Sequence, residues 1–182
     1  MSTNALISVV YHSGYGHTAV VANKVQEGLA SVEGVEARLF SVDDVDWDVL
    51  NASDAIVFGA PTYMGGPSAG FKAFADATAK PWFGDAWKDK LAAGFTNSGS
   101  NAGDKQVTLQ YLATLAAQQG MLWIPLAVKS ANGLNRNGYY LGLGTQSDND
   151  SPEVTPGDAD KTDAFNFGVR IAQATKRWKA GA

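Results

Sequence analysis

A chain of 182 residues, 45% hydrophobic and 18% charged, is long enough to bury one sizeable core and has the makeup of an ordinary globular protein. Its net charge of −4 gives no general attraction to nucleic acid or to an anionic membrane surface. It contains no cysteine, which excludes disulfides, thiolate metal sites and thiol catalysis.

The opening Met1-Ser2-Thr3-Asn4 lacks the basic start and small-residue cleavage site of a signal peptide. The apolar run Ala5 to Val10 is too short to span a bilayer. A cytoplasmic protein without membrane insertion is expected, folded as one domain over residues 1–182.

Ala5 to Tyr11 is nearly all apolar and rich in β-branched residues, as in a strand buried on both faces. A glycine-containing loop follows. From Thr18 the spacing turns helical: Val21, Val25 and Leu29 share a face, and Glu33-Gly34 supplies the stop. Val35 to Val42 reads as a second strand. The acidic stretch Asp43 to Asn51 comes next, with Trp47 and Leu50 expected over the core and the aspartates on a solvated face. Ala55 to Ala60 is a third buried strand that Pro61 is expected to stop. Pro67 to Ala79 is a predicted helix, with Pro67 in its first turn and Phe71, Phe74 and Ala75 inward.

Leu91 to Thr96 is a fourth strand. Lys105 to Gln119 is a helix with Leu109, Leu112 and Leu115 inward, closed by Gly120. Met121 to Leu126 is a fifth strand. Residues 129–158, rich in Gly, Asn, Ser and Asp, read as a long excursion, too long for an ordinary loop. Asp160 to Trp178 is the final helix. This alternation predicts an α/β fold, a parallel sheet with helices on both faces and right-handed crossovers.

In such a sheet, ligands bind at the carboxyl ends of the strands. Three loops leave those ends. In Ser13-Gly14-Tyr15-Gly16-His17-Thr18, two hydroxyls and two glycines precede a helix start whose free N–H groups favour an anion. No Lys or Arg is present, so an anion there would meet neutral donors. The alternative for this loop taken alone is a glycine-rich turn with a hydroxyl cap. Neither the P-loop nor the G-x-G-x-x-G pattern occurs.

The second loop, Pro61-Thr62-Tyr63-Met64-Gly65-Gly66, offers an aromatic ring and a thioether to a planar heterocycle, or is a turn with half-buried apolar residues. The third, Asn97-Ser98-Gly99-Ser100-Asn101-Ala102-Gly103, carries uncharged hydrogen-bond groups suited to the polar edge of a ring, or is a plain solvated loop.

His12 and His17 are the only histidines, and no metal-ligand spacing surrounds them, so no metal is expected. A Ser–His dyad stays open, although the G-x-S-x-G elbow is absent. Trp82-Phe83 is a core or interface anchor, or the wall of a substrate pocket.

Together the three loops resemble those of the flavodoxin superfamily, and most closely the WrbA-type NAD(P)H:quinone oxidoreductases and NADPH-dependent FMN reductases. The family's patterns S-x-Y-G-H-[IT], G-[TA]-P-T-[RY]-[FM]-G and S-[ST]-G-[ST]-x-x-G appear here as Ser13–Thr18, Gly59–Gly65 and, with Asn97 in the place of the first Ser, Asn97–Gly103. Trp82 and Gly120-Met121 extend the likeness. Gly138-Tyr139-Tyr140-Leu141-Gly142 and the Gln-Ser-Asp-Asn-Asp run after it resemble the family's late glycine-rich loop.

The resemblance implies a flavodoxin-like, three-layer, doubly wound sheet of five parallel strands in the order 2-1-3-4-5. It implies FMN, with NAD(P)H as electron donor and a quinone or similar flat acceptor. Ser13 to Thr18 would hold the phosphate. Pro61, Thr62, Tyr63, Met64 and Gly65 would flank the isoalloxazine, and Asn97 to Gly103 would meet its polar edge. Tyr15 would lie near the nicotinamide nucleotide, and Trp82 would line the quinone pocket.

Gln119 stands where the family often has a histidine near the flavin, and it cannot titrate. The segment between the second and third strands, Ser41 to Asp54, is shorter than in WrbA-type proteins. A homo-oligomer, dimer or tetramer, is expected. No side chain need act as nucleophile or strong acid, because flavin carries the chemistry. The alternative is a flavodoxin-type electron carrier without its own NAD(P)H turnover. A third reading is a regulatory protein with a vestigial site.

Overall fold

The computed structural model describes residues 4–181. Its strands are β1 (Ala5–Tyr11), β2 (Val35–Ser41), β3 (Ala55–Tyr63), β4 (Gly66–Pro67), β5 (Leu91–Ser98), β6 (Leu122–Trp123) and β7 (Leu143–Gln146). Its helices are α1 (His17–Ala30), α2 (Trp47–Ala52), α3 (Ala69–Ala77), α4 (Ala79–Phe83), α5 (Lys105–Gln118) and α6 (Asp158–Ala180). The main sheet runs β2-β1-β3-β5-β6, all parallel, so its order is the expected flavodoxin-like one.

The apolar strands alternate between two cores. Ile7, Val9, Val57, Ala93 and Phe95 face α1 and α6, while Val10, Ile56, Phe58 and Ala92 face α2, α3 and α5. This is why the strands read as continuous apolar runs: both faces of the sheet are covered. Among the described residues, no helix is long and apolar enough to cross a membrane.

The predicted fifth strand is corrected. Only Leu122–Trp123 pairs with β5, opposite Leu91 and Ala92. The chain then leaves the sheet and returns as β7, which pairs in parallel with Phe95–Ser98 at the other end of β5. One edge position is thus filled by two short strands with residues 124–142 inserted between them. Residues 129–158 are therefore not one excursion, because they contain β7.

Pro61 does not stop β3 either. Pairing with β1 ends at Gly59; Pro61 then sits opposite Asn97 of β5, and antiparallel pairing with β4 begins only at Thr62. A proline is tolerated at such an unpaired edge. Pro67 lies in β4, and Ser68 caps α3 by accepting the Phe71 amide at 3.4 Å. Within the acidic stretch, Asp46 caps α2 by accepting the amides of Asp48 and Val49.

α1 and α6 cross with their backbones in contact. A Cβ on Gly28 would run into the Phe165 carbonyl and lie 3.1 Å from the Val169 amide. One on Gly168 would meet the Val25 carbonyl and lie 2.9 Å from the Leu29 amide. Both helices, and the loop ahead of α1, are placed by this contact.

Candidate functional site

The carboxyl ends of β1, β3 and β5 open into a cavity of about 460 Å³. It is lined by Tyr15, His17 and Thr18 from the first loop, Pro61, Thr62 and Tyr63 from the second, and Asn97, Ser98 and Gly99 from the third. The fourth wall is Ser147, Asp148, Asn149 and Asp150, which follow β7. The volume suits a ligand of nucleotide size.

The first loop is organised by Ser13. Its Oγ accepts the amides of Gly16 and Ala19, each at 3.1 Å. The amides of His17 and Thr18 then have no intramolecular acceptor, and they lie at the positive end of a 14-residue helix. Gly16 has φ +90°, and a Cβ there would meet Pro152 Cγ at 2.6 Å. Gly14 admits the Tyr63 hydroxyl, which a Cβ would meet at 2.8 Å. Burial pushes the Tyr63 hydroxyl up, the neighbouring Tyr15 adds to this, and the Gly14 backbone opposes it.

His17 Nε2 contacts the Asp150 carbonyl at 3.0 Å and so ties the first loop to the wall after β7. His12 turns away. Its Nδ1 contacts Ser68 Oγ at 2.8 Å, and its ring covers Gly70.

In the second loop, Thr62 Oγ1 contacts Thr96 Oγ1 at 2.7 Å and donates to Thr108 Oγ1 at 2.8 Å, which anchors β3 to β5 and α5. Tyr63 meets Tyr15 edge-on, with ring centroids 5.9 Å apart. Met64 is fully exposed, in left-handed backbone (φ 46°). The Gly65 amide donates to Asp104 Oδ2 at 2.6 Å.

In the third loop, Asn97 Oδ1 accepts from Thr145 Oγ1 at 2.9 Å and from Ser147 Oγ at 3.1 Å. That fixes its orientation and leaves the Nδ2 donor for the cavity. Ser98 Oγ is buried without a partner in the cavity wall. Ser100, Asn101, Ala102 and Gly103 are not in the wall. Gly14 and Gly16 are not in it either.

Two expected site residues are not at this cavity. α5 runs antiparallel to β5, so Gln119 lies about 20 Å from the third loop, at the far end of the helix. There its Nε2 donates to the Thr78 carbonyl at 3.1 Å and to Thr78 Oγ1 at 2.9 Å, and its Oε1 has no partner. Trp82 is in α4, on the path back to the start of β5. It is half exposed and packed on Phe83 at 4.9 Å.

Conversely, reading the residues did not single out Ser147 to Asp150 as a wall. The only signal was the likeness of that run to a late family loop. Among the described residues no cluster of His, Asp or Glu could hold a metal.

The residues fit FMN. A phosphate suits the free amides of α1. Ribityl hydroxyls suit the acceptors Asp148 and Asp150. A ring edge with carbonyl and imide groups suits Asn97 Nδ2 and the unpartnered Ser98 Oγ. Aside from His17, the lining contains no cationic side chain.

The sequence likeness agrees. The family described as NADPH-dependent FMN reductase matches residues 47–134. Flavodoxin FldP of Pseudomonas aeruginosa is 42% identical over 91% of this chain and 94% of its own. A quinone-oxidoreductase of Triphysaria versicolor is 30% identical over 95% and 96%. The crystal structure of a flavodoxin, WrbA-like protein from Agrobacterium tumefaciens superposes with a TM-score of 0.78 at 42% identity, covering 96% of this chain and 99% of that one. With near full-length relatives at this identity, the chain belongs to the FMN-binding, flavodoxin-like family of WrbA and the FMN reductases.

Proposed function

We propose that this chain is a single-domain cytoplasmic oxidoreductase that holds FMN in the cavity between β1, β3, β5 and β7 and passes electrons from NAD(P)H to a quinone-like flat acceptor. The observation that carries this reading is the set of neutral, unpartnered donors spread along one cavity: the His17 and Thr18 amides, Asn97 Nδ2 and Ser98 Oγ. Bound FMN supplies a ring that takes two electrons from a dihydronicotinamide and gives them to a flat acceptor.

The chain's own part is placement. Ser13 keeps the first loop closed so that the α1 amides face the phosphate. Asn97, held by Thr145 and Ser147, presents one donor to the ring edge. Tyr15, 77% exposed above the cavity, is free to stack on an incoming planar ring. Donor and acceptor would use this open side in turn.

An assembly of two or four copies belongs to the same proposal. In it the exposed Trp82 of one chain would reach the acceptor pocket of another, which a single chain does not allow. Sedimentation of the holoprotein tests it, and a monomer at working concentration sinks it.

The deciding experiment is steady-state NADH and NADPH oxidation with benzoquinone. Turnover well above that of free FMN is expected. Turnover no faster than free FMN would favour the second reading, an electron carrier, which the name of the Pseudomonas relative supports. Asn97→Asp should weaken FMN about 10- to 100-fold. It keeps the acceptor for Thr145 and Ser147 but exchanges the donor for a charge, a loss of about 1–3 kcal/mol. Fluorescence quenching of FMN reads this directly.

A further inference from the structure

Lys105 opens α5, and its side chain is completely buried. A cation in the first turn of a helix opposes the helix dipole, and burying an ammonium is costly. What compensates it is the third loop. Nζ donates to the carbonyls of Ser98 at 3.3 Å, of Ser100, and of Asn101 at 3.5 Å. The Tyr139 hydroxyl, from the insertion after β6, takes the Ala102 carbonyl at 2.6 Å.

A trans peptide points its C=O and the following N–H in opposite directions. With these carbonyls turned inward, the amides of Gly99, Asn101, Ala102 and Gly103 turn outward, and none has an intramolecular acceptor. Gly99 itself lines the cavity.

We propose that Lys105 is a positioning residue: its ammonium, sealed behind the third loop, holds that loop with the Gly99 amide toward the cavity and favours reduced, anionic FMN over oxidised FMN. This rests on the FMN reading above. Nearby carboxylates are engaged elsewhere: Asp104 receives the Gly65 amide, and Asp160 receives Arg136 and the Gln146 amide. Lys105 therefore answers to carbonyl dipoles and, across the loop, to whatever charge develops in the cavity.

Burial brings its ammonium down to about 8, with Asp160 and Asp104 opposing and Arg136 assisting. Reduction of FMN would pull that proton back. Between the two protonation points, the midpoint potential then falls with pH by one extra proton per two electrons, an additional ~30 mV per pH unit.

The test compares the wild-type chain with Lys105→Met and Lys105→Arg. Backbone order parameters at residues 99–103 are measured by NMR without FMN. FMN affinity and midpoint potential are measured from pH 6.5 to 9.5. Lys105→Met should lower these order parameters from the rigid range, about 0.85, toward about 0.6. It should also lower the ratio of affinities for reduced over oxidised FMN about tenfold, a midpoint about 30 mV more negative. Lys105→Arg should recover most of the potential. The steeper slope above pH ~8 should appear only in the wild-type chain.

Wild-type order parameters and potential in Lys105→Met would overturn the proposal. Should that variant not fold, the wild-type profile decides, and a single slope throughout overturns it. Should the wild-type chain take up no FMN, the cofactor reading fails separately. The order parameters alone then test the lock, with unchanged values counting against it.

Discussion

Replacing Thr18 by Asp should weaken FMN binding by more than 100-fold while leaving the FMN-free chain as stable as before or slightly more so. Thr18 is buried at the cavity floor in the first turn of α1, beside amides that have no acceptor. A carboxylate of similar size there would take those amides and complement the positive end of the helix, an effect of about 0.3–1 kcal/mol. The same charge would face a phosphate monoester of nearly two negative charges. At about 4 Å and an effective dielectric near 20, one pair of unit charges costs roughly 4 kcal/mol. Even half of that, for each phosphate charge, exceeds the ~2.7 kcal/mol that a 100-fold loss requires.

The opposite signs are the diagnostic. A variant that merely damaged the fold would lose both melting temperature and FMN. Thr18→Ser serves as the control and should bind FMN within a few-fold of the wild-type chain. Tight FMN binding by Thr18→Asp would show that the phosphate does not sit at α1.

The second large effect concerns stability. Gly28→Ala should lower the melting temperature by up to about 8 °C, although helix propensity alone predicts a gain. Ala is about 1 kcal/mol better than Gly inside a helix. At Gly28, however, the new methyl would occupy the space of the Phe165 carbonyl, a backbone atom of α6 that no rotamer change can remove. Gly168→Ala meets the Val25 carbonyl in the same way. Separating two packed helices opens the core around Val25, Leu29, Phe167 and Ile171, and such overpacking costs about 1–3 kcal/mol or more. The penalty exceeds the propensity gain, leaving a net loss of up to about 2 kcal/mol, and a domain of this size loses about 2–4 °C per kcal/mol. Thermal unfolding followed by circular dichroism checks the sign. An unchanged or raised melting temperature would refute the contact.

Much of the architecture was legible along the chain. Short apolar runs such as Ala55–Ala60, each followed by helical spacing, identify parallel strands covered on both faces. The sheet order was available only through resemblance to a known family. The three loops were legible too, since each follows a strand end directly and carries its donors within a few residues. The fifth strand was misread because Met121 to Leu126 is uniformly apolar. Nothing local reveals that the chain leaves the ladder after the Ile124 amide reaches the Ala92 carbonyl, while Leu143–Gln146 completes it. Gln119 stands away from the cavity, and Trp82 does not line it within one chain, for a different reason: a motif match records position along the chain, whereas α4 and α5 carry both residues to the amino ends of the strands.

The sequence by itself determined which segments turn, which are buried, and that an anion is welcome ahead of Thr18. These are local matters of glycine placement, apolar spacing and free helix amides. Only the tertiary structure decided that Ser147–Asp150 close the cavity, that Asn97 is oriented by hydroxyls about fifty residues away, and that a buried lysine stands behind the third loop. Those arrangements depend on β7 pairing with β5 and on α5 lying beneath both. Such contacts join distant parts of the chain, and no local pattern encodes them.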